Sequence, residues 1–217
     1  MDFERARENM VESQIRTWEV LDQNVLDALS AARRDRFVPA GYESLAFADT
    51  DIPIGHGEVM MRPPVEARLL QALNLTPSDT VLEIGTGTGF LAGLLATLAG
   101  EVVSVDIHDD FIRTANDRLR AAGISNVFAC TADGLRGHPE HAPYDAIAVT
   151  GSLRDIEPEL LAQLAPGGRL FAVVGNPPVM QARLITRRGE QALAQENLFE
   201  TELKPLVGVT PADRFEF

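Results

Sequence analysis

The chain contains a single cysteine, Cys130, among its 217 residues. One thiol excludes an internal disulfide and a zinc site built from several cysteines. Long apolar runs are also missing, because the longest, near LAGLLATLAG (91–100), is too short to span a bilayer. The first ten residues, MDFERARENM, are charged and lack the apolar core of an export signal. We therefore expect a cytoplasmic protein with no membrane partner.

Positive charge is scarce. Nineteen lysine and arginine residues stand against 32 aspartate and glutamate residues, which gives a formal net charge of −13 at pH 7. Proteins that bind nucleic acids usually have a basic surface, because the neutralisation of phosphates supplies most of their affinity. The acidic balance therefore argues against DNA, RNA and anionic membranes as partners.

The N-terminal part of the sequence predicts helices followed by a loop. Helical spacing of apolar residues in the first forty residues favours two helices, the second of which begins at the N-cap candidate Asp22. The following stretch is rich in glycine and proline, and we interpret it as an ordered loop with room for one short strand. We therefore divide the chain into an N-terminal segment with helices and a substrate loop, 1–62, packed on a core, 63–217. Pro63 and Pro64 suit the first turn of a helix.

From residue 79 onward, short apolar runs alternate with helical patterns. The predicted strands are TVLEIG, EVVSVDI, NVFACTA, YDAIAVTG and RLFAVVG, and the predicted helices are GFLAGLLATLAG, DDFIRTANDRLRAAG and DIEPELLAQLAPGG. Short joins between such elements are typical of a parallel sheet covered by helices on both faces. The tail, QARLITRRGEQALAQENLFE, predicts two antiparallel strands around the Arg188–Gly189–Glu190 turn. The expected fold is α/β: a doubly wound, mostly parallel seven-stranded sheet with an N-terminal helical extension and a C-terminal antiparallel hairpin.

The stretch VLEIGTGTGF (81–90) is the strongest functional signal. Its glycines let the backbone approach a ligand closely, and the helix that follows offers unpaired N–H groups at its start. The G-x-G-x-G spacing differs from the G-x-G-x-x-G of dinucleotide sites. Glu83, just before the loop, suits a ligand that has a positive ammonium group. A glycine-rich turn without a ligand remains the simpler alternative.

Two acids strengthen the case for a ligand. Asp106 ends the strand after the glycine loop, where a carboxylate accepts hydrogen bonds from ribose hydroxyls, and Asp133 follows the next strand, where it can accept from an adenine amino group. Either acid alone is as readily a cap or turn residue. Together they converge on the crevice where open sheets bind ligands. The pattern indicates S-adenosylmethionine and a class I methyltransferase.

Three other motif-like groups predict no further chemistry. An Asn-Pro-Pro stretch at 176–178 follows the fifth strand, whereas amino-group methyltransferases have this motif after the fourth. A His-x-x-His pattern at 138–141 is interrupted by Pro139 and followed by Pro143, which favours a loop with surface histidines. Ser152 lacks the G-x-S-x-G frame of a nucleophilic serine. We interpret all three as loop or surface residues and predict no metal site.

The chain resembles the protein-L-isoaspartate O-methyltransferase family from about Met10 to Gly208. The similarity rests on MVESQIR (10–16), RRDRFVP (33–39), IPIGHGEVMMRP (52–63), VLEIGTGTGF (81–90), YDAIAVT (144–150), APGGRL (165–170) and KPLVG (204–208). The resemblance implies that S-adenosylmethionine is converted to S-adenosylhomocysteine while the α-carboxyl of an isoaspartyl residue in a protein or peptide is methylated. The ester then collapses to a succinimide, which gives a chance of repair.

The resemblance also implies which residues hold the cofactor. The positions that match the family pattern are Glu83, Gly85, Gly87, Gly89, Asp106, Asp133 and Gly134. We add their neighbours in the same motifs as predicted cofactor contacts, namely Thr86, Thr88, Ile107 and Thr150.

The predicted substrate loop departs from the family. Its acceptor-binding candidates are Ile54, Gly55, His56, Val59, Met60, Met61 and Arg62. The family typically reads G-x-G-Q-T-I-S-Q-P there, and its threonine and serine hydroxyls hold the isoaspartyl carboxylate. Val59 and Met61 stand at those two positions, and Arg62 stands at the following glutamine position, so no catalytic residue is assigned.

The loss of the two hydroxyls leaves alternatives open. The acceptor is an isoaspartyl residue, or a more apolar molecule lined by Val59, Met60 and Met61, or the protein binds the cofactor without catalysis. The methionines equally suit packing under the loop, because methionine is a common core filler. Arg62 either clamps a carboxylate or points to solvent at the start of a helix.

Overall fold

Within residues 2–189 and 192–209, which the computed structural model describes, the chain forms nine strands. Two short ones, β1 (Ile52–Gly55) and β2 (Glu58–Met60), pair as a separate antiparallel hairpin. The other seven form one sheet: β3 (Thr80–Ile84), β4 (Glu101–Asp106), β5 (Val127–Thr131), β6 (Tyr144–Leu153), β7 (Leu164–Asn176), β8 (Val179–Arg187) and β9 (Leu193–Glu200).

The seven strands lie in the order β5–β4–β3–β6–β7–β8–β9. The first five are parallel to one another, whereas β8 and β9 run antiparallel to their neighbours. The predicted mostly parallel sheet with a C-terminal antiparallel hairpin is confirmed. Of the predicted turn at 188–190, Glu190 lies outside the described residues.

Six α-helices connect and cover these strands in the described part of the chain: α1 (Phe3–Met10), α2 (Gln23–Ala31), α3 (Pro63–Leu73), α4 (Phe90–Leu98), α5 (Asp109–Ala121) and α6 (Pro158–Ala162). Asp22 caps α2 as predicted, since its carboxylate accepts hydrogen bonds from the backbone N–H groups of Asn24 and Val25 at 2.8 and 3.2 Å. Pro63 and Pro64 occupy the first turn of α3, also as predicted. The first predicted helix is less regular, because a π-helical turn and a 3₁₀ turn follow α1 from Val11 to Trp18.

Two further elements differ from the sequence prediction. The 40–62 segment contains the two strands of the hairpin rather than one. The helix predicted over 155–168 is shorter, because β7 already begins at Leu164, which pairs with Tyr144 of β6. Pro166 cannot continue a helix and Gly167 has a φ of +82°, so the backbone favours an extended, bulged strand here.

The hydrophobic core has two parts, one on each face of the sheet. Along β3, Val81 belongs to the larger cluster, and its neighbour Leu82 belongs to the smaller one. This alternation follows from strand geometry, in which successive side chains point to opposite faces. The larger cluster also contains Met10 and Leu26 from the N-terminal helices. The N-terminal segment therefore shares its core with the sheet.

A buried cation joins the N-terminal segment to the rest of the molecule. Arg34 is 1% exposed, and its guanidinium donates hydrogen bonds to the Glu66 carboxylate of α3 and, at 2.5 Å, to the Met61 carbonyl. It also lies 4.7 Å from the ring centre of Phe90 in α4. A buried charge is tolerated only when it is paired and hydrogen-bonded. Arg34 therefore fixes three otherwise separate elements to one another.

Every helix within the described ranges is too short or too polar to cross a bilayer.

Replacement of Arg34 by methionine is expected to destabilise the protein strongly. Arg34→Met keeps much of the side-chain volume but leaves Glu66 buried without its partner, which costs about 3–5 kcal/mol in the free energy of unfolding. Urea denaturation measures this loss. The control is Arg113→Met, which removes a 72% exposed arginine side chain from α5 and is expected to change stability by about 0.5 kcal/mol or less.

The double variant Arg34→Met/Glu66→Leu removes both charges and is expected to recover much of the loss. If the free energy of unfolding of Arg34→Met lies within about 1 kcal/mol of that of the parent protein, the buried pair does not anchor the N-terminal segment.

Candidate cofactor and acceptor site

A cleft of about 700 Å³, including its open mouth, lies at the carboxyl ends of β3, β4 and β6. Open α/β sheets bind their ligands at this edge. The structure brings seven of the eleven predicted cofactor residues to the wall of this cleft: Gly85, Gly87, Asp106, Ile107, Asp133, Gly134 and Thr150. Distant parts of the sequence thus meet where the motifs predicted a nucleoside site.

The glycine loop packs closely against a neighbouring strand. Gly85 has a φ of +98°, and a Cβ there would lie 2.1 Å from the hydroxyl oxygen of Thr150 in β6. That hydroxyl lies 2.9 and 2.8 Å from the carbonyl oxygens of Ile84 and Gly85, to which it donates. Only glycine fits this position, so Thr150 shapes the loop as well as lining the cleft.

Asp106 links the loop to the end of β4. One carboxylate oxygen accepts the Gly87 N–H at 2.8 Å, and the other accepts the His108 N–H at 2.9 Å. Each carboxylate oxygen has a second lone pair, so it can accept a further donor from a ligand. The position of Asp106 on the cleft wall is therefore compatible with its predicted role towards ribose hydroxyls.

Glu83 lies behind the glycine loop rather than on the cleft wall. It is fully buried, accepts a hydrogen bond from the Ser104 hydroxyl, and has one carboxyl oxygen without a partner among the described residues. Ser104 in turn lies 2.6 Å from the Thr86 hydroxyl. Burial raises the pKa of Glu83 to about 8, so the group is protonated at neutral pH.

Three other predicted cofactor residues also lie off the cleft wall: Thr86, Thr88 and Gly89. The two threonines are buried, and a Cβ at Gly89 would lie 2.9 Å from the Cβ of Ala115 in α5. Glu83 and Thr86 instead turn towards Ser104 beneath the loop, whereas Ile84, Gly85 and Gly87 line the cleft.

The β1–β2 hairpin forms the lip of the cleft on the predicted acceptor side. Ile54 and Val59 line the cleft, and the Cδ1 of Ile54 lies 3.1 Å from where a Cβ of Gly87 would be. The hairpin therefore touches the glycine loop directly. Gly55 and His56, at the tip, lie outside the cleft wall.

His56 stacks against a histidine that follows β4. The rings of His56 and His108 are 4.0 Å apart at an angle of 9°, and the His56 Nε2 lies 2.9 Å from a carboxylate oxygen of Asp110. These three residues offer ligand atoms within 4.8 Å of one another. The stacked rings and the contact with Asp110 join the tip of the lip to the segment that follows β4. His138 and His141 are also nearly parallel, at 16°.

The structure corrects the prediction for Met60, Met61 and Arg62. Both methionines are 5% exposed and belong to the larger hydrophobic cluster, not to the cleft. Burial of such side chains stabilises a fold by about 1.5–3 kcal/mol each, which favours the core over the open lip. Arg62 precedes α3, donates to the Thr201 hydroxyl at 3.3 Å and lies 3.8 Å from Asp51. It too lies outside the cleft wall.

The C-terminal segment 203–207 lines the cleft, which the sequence analysis did not predict. Backbone bonds attach it to the end of β6: Ser152 donates its N–H to the Lys204 carbonyl at 2.8 Å and accepts the Leu206 N–H at 3.1 Å. A Cβ at Gly151 would lie 2.7 Å from Leu206. The KPLVG motif belongs to the family resemblance, and this was the available signal. The pairing with β6 spans about fifty residues, so local patterns did not show it.

The sequence is similar to proteins of one known family. Residues 5–210 match the family model described as protein-L-isoaspartate(D-aspartate) O-methyltransferase. The chain is 36% identical over 206 residues to a protein-L-isoaspartate O-methyltransferase of Koribacter versatilis, covering 95% of this chain and 92% of that protein. A protein of the same name from Methanoculleus marisnigri is 41% identical over 186 residues, covering 85% and 84%.

Solved structures agree with these sequence relatives. A protein-L-isoaspartate O-methyltransferase structure is 25% identical and superposes with a TM-score of 0.81, covering 93% of this chain and 66% of that one. A Plasmodium falciparum structure described with the same activity, solved in complex with S-adenosyl-L-homocysteine, is 18% identical with a TM-score of 0.79 and covers 92% of this chain and 97% of that one. The second likeness supports the fold alone.

The buried acid behind the loop predicts a pH-dependent stability. Folded Glu83 keeps its proton up to about pH 8, whereas the unfolded group releases it near 4.5. The folded state therefore binds more protons between these values, and stability falls as the pH rises, by up to about 1.4 kcal/mol per pH unit. Burial also raises the pKa of Glu66, against the opposing charge of Arg34, which adds to the same slope.

We expect Glu83→Gln to flatten this slope without abolishing it, because the neutral amide has no proton to lose. Urea unfolding at pH 5, 6, 7 and 8 measures both proteins. Identical slopes for the two proteins would show that Glu83 is ionised in the folded state.

Proposed function

Because this chain belongs to the protein-L-isoaspartate(D-aspartate) O-methyltransferase family, we propose that it methylates the α-carboxyl of isoaspartyl residues in proteins or peptides. The coarser function, that of a protein O-methyltransferase that uses S-adenosylmethionine, follows from the family. A cytoplasmic location is part of the proposal and rests on the sequence, with its lone cysteine.

One observation supports the cofactor site above the others. Asp106 lies on the cleft wall beside the glycine loop, and Asp133 lies on the same wall after β5. Gly85 and Gly134 lie on the same wall and pack so closely on Thr150 and Ile84 that a Cβ would lie 2.1 and 2.6 Å from them, so neither position accepts a side chain. These residues fit a nucleoside: Asp106 would accept from ribose hydroxyls, and Asp133 from an adenine amino group.

The chemistry needs little from the protein beyond position. When bound, S-adenosylmethionine would supply a sulfonium methyl group for transfer to an acceptor carboxylate oxygen, with a methyl ester and S-adenosylhomocysteine as products. A carboxylate is ionised at neutral pH and needs no general base. Ile54 and Val59 on the lip exclude water from the acceptor, which strengthens the charge attraction and aligns the reactants.

The alternative acceptor, a more apolar molecule, has lost most of its support. It depended on Val59, Met60 and Met61 together, and the burial of both methionines in the core leaves only Val59 on the cleft wall.

Methyl transfer is tested with two peptides that differ only in carrying an isoaspartyl or an aspartyl residue. With radiolabelled S-adenosylmethionine we expect label in the isoaspartyl peptide and none above background in the other. Cofactor binding without label in either peptide supports the non-catalytic alternative and overturns the proposal.

Asp106→Asn tests the cofactor site separately. The amide keeps the size of the side chain but loses the charge, and hydrogen bonds to charged groups contribute about 1.5–3 kcal/mol, so cofactor affinity is expected to fall about tenfold to a hundredfold. Calorimetry measures the dissociation constant. Asp117→Asn, on the exposed face of α5 where Asp117 pairs with Arg120, serves as the matched control and is expected to bind as the parent does. Equal affinity of all three proteins would remove Asp106 from the cofactor site.

Val59→Thr restores a hydroxyl where the cleft can use it. We expect kcat/KM for the isoaspartyl peptide to rise by about tenfold, the lower end of the worth of one hydrogen bond to a charged group. Met61→Ser is expected instead to lower stability by about 2–5 kcal/mol, because it leaves a cavity in the core. Steady-state kinetics and urea unfolding separate the two effects. A gain in activity from Met61→Ser alone would show that position 61 reaches the acceptor.

A further inference from the structure

Lysine is nearly absent from this chain. Of the 19 basic residues, 18 are arginine and one is lysine, Lys204. That residue lies in the C-terminal segment that lines the cleft, and it is the one lysine or arginine among the described residues of the cleft wall. The acids on the same wall are Glu58, Asp106 and Asp133.

The backbone of Lys204 is held firmly. Its carbonyl accepts the Ser152 N–H at 2.8 Å, and the Ser152 hydroxyl donates to the neighbouring Leu203 carbonyl at 2.8 Å. The next residue, Pro205, forms a bridge with Ser152 in β6. The lysine side chain therefore starts from a fixed point at the carboxyl edge of the sheet.

From this point the side chain reaches the acceptor lip. The Lys204 Nζ lies 2.8 Å from a carboxylate oxygen of Glu58 and donates to the Gly57 carbonyl. Glu58 is directly followed by Val59, the position where the family has a threonine. The ammonium group thus lies on the lip beside the position that lost a hydroxyl, already paired with a carboxylate.

An exposed pair of this kind contributes little to stability. The side chains of Lys204 and Glu58 are 38% and 22% exposed, and solvent-exposed ion pairs are worth about 0–1 kcal/mol. A second carboxylate can therefore take the place of Glu58 at small cost. An ammonium group has three donors, so Lys204 can hold one oxygen of an acceptor carboxylate while the other oxygen remains free to react.

We propose that Lys204 binds the α-carboxylate of the isoaspartyl acceptor, in place of the hydroxyls that are absent at positions 59 and 61, and that Glu58 occupies Lys204 until the acceptor displaces it. This inference rests on the proposed function and names the residue that gives this chain its affinity for a charged acceptor. Lys204 is a substrate-binding residue, and Glu58 is its internal competitor.

Two substitutions with opposite expected effects test the proposal. Lys204→Met removes the cation, and KM for the isoaspartyl peptide is expected to rise about fivefold, the upper worth of an exposed ion pair, with a smaller change in kcat. Glu58→Gln removes the competing charge but keeps an oxygen that can accept from Lys204, and KM is expected to fall about threefold. If the pair only fastened the lip to the C-terminal segment, both substitutions would impair the enzyme in the same direction.

Two further variants serve as controls. Lys204→Arg retains a cation and is expected to keep KM within about twofold of the parent. Arg113→Met removes one positive charge from the exposed surface of α5, matches the net charge of Lys204→Met, and is expected to leave KM unchanged. The cofactor dissociation constant, measured by calorimetry, is expected to be the same in all variants.

Failure of this inference is distinguishable from failure of the proposed function. If the parent protein methylates the isoaspartyl peptide and Lys204→Met has an unchanged KM, Lys204 does not bind the acceptor although the function stands. If the parent gives no product, a second measurement is needed. A fluorescently labelled isoaspartyl peptide is titrated with the protein saturated with S-adenosylhomocysteine, and its binding decides whether the carboxylate site exists. Binding that Lys204→Met weakens supports the carboxylate site, and absence of binding overturns both.

The lone lysine also permits a test without substitution. Acetylation by an N-hydroxysuccinimide ester, followed by mass spectrometry of the peptide that contains Lys204, reports its accessibility. We expect the isoaspartyl peptide with S-adenosylhomocysteine to slow acetylation of Lys204 at least threefold relative to the aspartyl peptide. Equal protection by the two peptides would contradict the proposal.

Discussion

The paired burial of Arg34 and Glu66 is the constraint on which the rest of the site depends. A guanidinium and a carboxylate, both at most 2% exposed, are stable inside a protein only together. Arg34 also holds the carbonyl of Met61, the residue that directly follows the hairpin. The pair therefore forms only when the N-terminal segment, the lip and α3 are all in place. The position of the lip over the glycine loop is thus a result of core electrostatics.

Acidic side chains lie on both sides of the glycine loop. Asp106 and Asp133 face the cleft, where water or a ligand can satisfy their charge. Glu83, one strand position before Ile84, faces inward and meets the hydroxyl of Ser104 instead. Glu83 and Ser104 pair inside the sheet, whereas Asp106 ends β4 at the edge that opens to the cleft, so depth along the strands separates the ligand-facing acid from the buried one.

Local patterns predicted most of the fold, and seven of the eleven predicted cofactor residues lie on the cleft wall. Strand and helix alternation, the glycine loop and Asp106 were readable because each depends on residues close in sequence. The direction of Met60 and Met61 was not, since it depends on whether the core or the lip gains more from burying them. The early start of β7 depends on pairing between Leu164 and Tyr144, and the role of Lys204 depends on the bridge between Ser152 and Pro205. Such long-range backbone contacts leave no periodic trace in the sequence.

The lone lysine within a strongly acidic protein has a consequence for which substrates arrive first. At a formal net charge of −13, the molecule repels acidic polypeptides at long range and attracts basic ones. Lys204 acts only at contact distance, on one carboxylate that has already entered the cleft. The net negative charge of the protein therefore governs the encounter, and the positive charge of Lys204 governs recognition in the cleft. We expect isoaspartyl sites flanked by lysine and arginine to be reached faster than those in acidic surroundings. This preference would weaken as salt screens the long-range field.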